Sequence, residues 1–207
     1  MHLRARPIFR LILGALAAVT VSLACGAPAR AGEVTYTFTG VGNGTLDGTA
    51  WSGDFTFVFT ANTSNITSGG VPPEFFQRNI GGTVSEGSFS ATLNSDNTLA
   101  DNNDPSFPRF GFFNSTFDNG GTIQNAAFAT YQLATAIGPI TGTGSNLLPT
   151  LNTDDHGFDT VDGHNFELLG ITSLTVTASV PEPSSLVLAA IGLAAGCGLF
   201  LRRRKAS

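Results

Sequence analysis

Between residues 32 and 180 the sequence has no cysteine and no lysine, and only two positively charged side chains, Arg78 and Arg109. Without cysteine there are no disulfides and no thiol nucleophile, but 149 residues are enough to bury a core without covalent staples. If the stretch proves to be exported, its lack of disulfides points to a bacterial protein. Fourteen acids against two arginines give this stretch a formal charge of −12, compared with −5 for the whole chain. Such a surface repels phosphate backbones, which excludes nucleic acid as a partner. Helical periodicity is missing too, because no window places apolar residues at i, i+3, i+4 and i+7. There is no G-x-S-x-G nucleophile elbow, and His156 and His164 are the only histidines in this stretch. The scattered acids single out no pair of the kind a glycosidase needs. No enzyme and no cofactor are therefore expected, and a secreted hydrolase with an unrecognised carboxylate site is a distant alternative.

The positive charge missing from the middle sits at the two ends. Arg4, Arg6 and Arg10 precede a short apolar run over residues 11–25, followed by Ala29-Arg30-Ala31. A basic start, a short apolar stretch and an A-x-A site formed by Ala29 and Ala31 predict a signal peptide over residues 1–31. At the other end, Val180-Pro181-Glu182-Pro183-Ser184-Ser185 leads into an apolar run over residues 186–201 and then Arg202-Arg203-Arg204-Lys205. Sixteen apolar residues would reach about 24 Å as a helix, at the short limit for a hydrocarbon core of ~30 Å. The basic cluster stops transfer and places residues 202–205 in the cytoplasm, with the acidic domain outside. Pro181 and Pro183 hold the backbone around Glu182 extended, a form that a membrane protease can grip.

This ordered tail of V-P-E-P-S-S-L, apolar span and R-R-R-K resembles the PEP-CTERM sorting signal of bacterial exported proteins. The resemblance covers residues 180–205. It implies recognition of Pro181, Glu182 and Pro183 by an exosortase, a membrane cysteine protease, after delivery by the secretion machinery. It also implies a passage from the inner membrane to the cell surface or the extracellular polysaccharide matrix. The stretches Tyr36-Thr37-Phe38-Thr39-Gly40 and Asp54-Phe55-Thr56-Phe57-Val58-Phe59-Thr60 are similar to exported domains that often accompany this tail, generally without an assigned activity.

The domain between the signals, residues 32–179, reads as strands. Val34, Tyr36 and Phe38 alternate with threonines, and so do Phe55, Phe57 and Phe59 with Thr56, Val58 and Thr60. Further runs lie at 88–93, 107–113, 126–133 and 166–178. Turns are expected at the glycines of residues 40–44 and at 62–70, 94–104, 114–121 and 152–165. Fifteen phenylalanines supply the core. The expectation is an all-β fold: one antiparallel β-sandwich or jelly-roll-like domain between a signal-peptide helix and a C-terminal transmembrane helix. The densest set of candidate metal ligands is Asp154, Asp155, Asp159 and Asp162, hard carboxylates suited to calcium. Their spacing is not that of an EF-hand, and a solvated loop explains them better. Trp51, Tyr36 and Tyr131 could offer stacking faces to a glycan if the domain is an adhesive module, though core packing explains each more simply.

Overall fold

A computed structural model of the chain describes residues 32–70, 73–143 and 157–180. The strands are β1 (Glu33–Leu46), β2 (Thr49–Asn62), β3 (Thr67–Gly69), β4 (Glu74–Glu86), β5 (Phe89–Asn102), β6 (Arg109–Phe113), β7 (Gly120–Gln124), β8 (Ile137–Thr143), β9 (Phe158–Asp159) and β10 (Asn165–Ser179). They form one antiparallel sheet in the order β7-β6-β5-β4-β2-β1-β10-β8, with β3 added to β4 and β9 to β10. The period-two pattern does what it predicts: Val34, Tyr36 and Phe38 of β1 and Phe55, Phe57 and Phe59 of β2 are all buried.

The sheet curls over on itself. Phe38 on β1 and Phe112 on β6 are four strands apart, which in a flat sheet would separate them by about 19 Å. Their ring centroids are 4.7 Å apart. Phe57 touches both Phe112, at 4.6 Å, and Phe158, at 4.8 Å, so the phenylalanines fill the inside of a near-barrel. The all-β, antiparallel fold is as expected, and the layers that pack face to face are two halves of one sheet.

The outer edge of β10 shows how the curl is closed. Its first residues pair with β9, as Asn165 opposite Asp159 and Phe166 opposite Phe158. At Leu168 no strand among the described residues pairs with this edge, and the Asn119 side chain bonds there instead. Asn119 Nδ2 donates to the Leu168 carbonyl at 3.1 Å, and the Leu168 N–H donates to Asn119 Oδ1 at 3.2 Å. From Ser173 to Ala178 the edge is covered by β8. Just past β9, Thr160 bridges Leu93, and the Val161 N–H donates to the Thr92 carbonyl at 2.8 Å. At that end β5, β4, β2, β1, β10 and the β9 segment make a closed ring.

Three local expectations are corrected. Residues 40–44 are not a turn; they lie within β1, whose hairpin to β2 is made by Asp47 and Gly48, both at positive φ (51° and 75°). That pair of angles belongs to the two-residue turn that matches strand twist. The glycines of β1 serve packing instead. Gly40 pairs with Phe55 and Gly44 with Trp51, and a Cβ on Gly40 would sit 2.6 Å from the Phe55 ring. Bare backbone there gives the aromatic rings of β2 a place to lie. Residues 94–104 are mostly strand, the second half of β5, because Leu99 and Asp101 turn into the core. Residues 126–133 form no strand. Asn125 caps a short 3-10 helix (Ala126–Thr130) that lays Phe128 into the core.

Candidate functional site

β10 runs between β1 and β8 and ends at Ser179, opposite Thr35. Ala178 is held on both sides, by Tyr36 of β1 and Ile137 of β8, and Val180 still packs against the core. No linker separates the folded sheet from Pro181. The first described residue, Gly32, accepts a hydrogen bond from the Thr63 N–H at 3.1 Å. Residues 32 and 180 thus leave the domain from neighbouring strands at one end of the sheet. The expected recognition residues Pro181, Glu182 and Pro183, the basic cluster Arg202, Arg203, Arg204 and Lys205, and the cleavage residues Ala29 and Ala31 lie outside the described residues. So does the expected span at 186–201. Among the described residues no helix is long and apolar enough to cross a membrane.

Of the candidate calcium ligands, Asp154 and Asp155 also lie outside the described residues. Asp159 is exposed on β9 and accepts from Asn165 Nδ2 at 3.0 Å. Asp162 is exposed in the following turn. No group of three or more His, Cys, Asp or Glu side chains suited to a metal occurs among the described residues. His164 is tied down: its Nδ1 is 2.7 Å from Asp47 Oδ2, and the Asn165 N–H donates to Asp47 Oδ1 at 2.9 Å. The bond from the Asn165 N–H, followed by the one from His164, holds the Asp47 carboxyl below the usual carboxylate range; the same contact raises His164. The pair staples the β1–β2 turn to the start of β10.

Of the three aromatic residues that could face a glycan, Tyr36 and Tyr131 are buried and Trp51 is partly exposed. Tyr36 is fully buried; its hydroxyl donates to the Leu133 carbonyl. Tyr131 is buried and donates to the Thr135 carbonyl at 3.0 Å. Burial pushes both hydroxyls well above the ordinary tyrosine range. Trp51 stacks on Phe166 at 4.9 Å.

The polar group that local sequence does not reveal is Asp101. It lies inside the barrel on β5, between Phe75 of β4 and Phe110 of β6, and neither of its oxygens has a hydrogen-bond partner. Desolvation raises its pKa to about 8, so the carboxyl is mostly neutral at pH 7. A raised carboxyl can mark a catalytic acid when it lines a cleft. Asp101 has no exposed surface.

The family comparison bears on the other feature, the end of β10. A family model of the PEP-CTERM protein-sorting motif matches residues 179–205. The chain carries a PEP-CTERM sorting signal. The match starts at Ser179, the last residue of β10, so the PEP-CTERM signal begins where the sheet ends. It supports sorting of an exported protein through an exosortase. No curated protein and no solved structure matches the chain.

Proposed function

We propose that this is a non-enzymatic cell-surface or matrix protein, delivered by its signal peptide and processed by an exosortase at the PEP-CTERM tail. The observation that carries this reading is the motif match at residues 179–205, directly continuous with β10. In this account Pro181, Glu182 and Pro183 are the recognition element, residues 186–201 are a temporary membrane retainer, and Arg202 to Lys205 stop transfer. The shortness of the apolar run suits a retainer awaiting cleavage better than a lasting anchor.

A non-enzymatic role is supported by where the conspicuous polar groups fall. Asp101 and Tyr36 are buried beyond the reach of a substrate, while Asp47 and His164 are engaged with each other. The test is to replace Pro181, Glu182 and Pro183 together by alanine. The unprocessed form should accumulate in the membrane fraction. Maturation at the wild-type rate would show that these residues are not read.

A further inference from the structure

The last strand of the barrel is held at its very end. Ala178 pairs with Tyr36 of β1 on one edge and with Ile137 of β8 on the other, and Ser179 pairs with Thr35. Val180, one residue past β10, is partly buried and packs against the core. The neighbours are themselves fixed. The Tyr36 hydroxyl donates to the Leu133 carbonyl, and the Tyr131 hydroxyl to that of Thr135 at 3.0 Å, which pins the chain running into β8. Leu133 is fully buried at φ 58°, a conformation kept only where the surroundings impose it.

A strand clamped in this way cannot be drawn into a protease. An extended peptide is gripped by adding its backbone to a free edge, and at Ala178 both edges are already paired. Peeling the end away would undo pairs on two sides and return the apolar surface of Ala178 and Val180 to water. The first residue open to such a grip is therefore Pro181. Between Val180 and the apolar run at 186 the sequence has only Pro181-Glu182-Pro183-Ser184-Ser185. Even fully extended, six Cα steps from Val180 to Leu186 reach no more than about 22 Å. Pro181 and Pro183 supply no backbone N–H, so few ladder bonds can be made even there.

We propose that the clamped end of β10 is the upstream stop for exosortase processing: the enzyme cuts a bond between Pro181 and Leu186 with the barrel intact, and the rim directly upstream limits the rate. This rests on the exosortase reading above. Ala178 and Val180 are positioning residues here, because they fix where the motif starts and in which direction it leaves the sheet. With no slack upstream, the enzyme has to meet the motif in the orientation that β10 imposes, and such a restriction lowers the rate of productive encounter. The stop also keeps the cut out of β10, whose loss would part β1 from β8.

The test is pulse–chase labelling of the full-length chain in a bacterium that has an exosortase, with the intact mass of each released product. Wild type is compared with eight Gly/Ser residues inserted between Val180 and Pro181, with Ile137→Ala, and with Pro181, Glu182 and Pro183 all replaced by alanine. Eight such residues spread over about 16 Å, enough to free the motif from the rim. The insertion should be processed at least about threefold faster, with the cut at the same residue counted from the motif. Ile137→Ala loosens one edge of the clamp and should give a smaller acceleration and an unchanged product mass. A merely structural role for the end of β10 would lower the melting temperature of Ile137→Ala and leave every rate equal. Equal rates for wild type and insertion would overturn the proposal, and so would a wild-type product ending at or before Ser179. Maturation of the triple-alanine chain at the wild-type rate would remove the sorting reading and this stop with it. A blocked triple-alanine chain beside equal rates for wild type and insertion would remove the stop alone.

Discussion

Asp47 and Asp101 lie towards opposite ends of the same barrel, and their surroundings reverse their chemistry. Asp47 is about half exposed at the β1–β2 turn, accepts two hydrogen bonds and is held in its charged form. Asp101 is buried among phenylalanines, accepts none, and is pushed towards its neutral form. The difference shows what a partner is worth to a carboxylate, since an exposed, well-bonded acid costs the fold little. A buried acid with no partner imposes a desolvation penalty that grows as the solution pulls its proton away. The two ends of the domain should therefore answer to pH in opposite ways.

The largest expected effect follows from Asp101. Its folded pKa of about 8 lies above the unfolded carboxyl value of 3.8. Between those values the folded state holds a proton that the unfolded state has lost. Stability should thus be greatest below about pH 4 as far as this group is concerned, and fall by about 1.4 kcal/mol per pH unit up to about pH 8. Urea denaturation at pH 5 and pH 7.5 measures the slope, and Asp101→Asn should flatten it. A wild-type slope matching that of the variant would mean that Asp101 has a partner after all.

Asn119→Ala comes next. It leaves both Leu168 backbone groups without their side-chain partner and should cost about 1–3 kcal/mol, with faster amide exchange at Leu168. Gly48→Ala forces a side chain into φ 75° and should cost about 1 kcal/mol in the same denaturation experiment. The smallest effect belongs to the exposed staple. His164 is raised and Asp47 lowered, so their mutual stabilisation should be fullest from about pH 4 to 6.5. It fades as pH rises through the raised value of His164, or falls through the lowered value of Asp47. His164→Gln should abolish the alkaline part of that dependence, seen as a loss of the small difference in melting temperature between pH 6 and pH 8.

The parts of the fold legible in the sequence are those with uninterrupted alternation, such as Val34 to Phe38 and Phe55 to Phe59. β4 was obscured because Asn79, at φ 55°, and the Gly81-Gly82 pair interrupt its alternation, and its register with β5 shifts there. The glycines of β1 suggest a turn because a strand glycine that makes room for a ring on the next strand leaves no local mark. Asp47-Gly48, a strong hairpin dipeptide, was the better signal. The tail was readable because its three parts are contiguous. Asp101 was not, since what sets it apart is a lack of partners among neighbours brought together from β4, β5 and β6.

The sorting account is tested most directly by the intact mass of the protein recovered outside the cell. It predicts a species beginning at Gly32 and ending upstream of Leu186, with the whole of β10 retained. A mature protein that stays in the membrane and still carries Arg202 to Lys205 would contradict it.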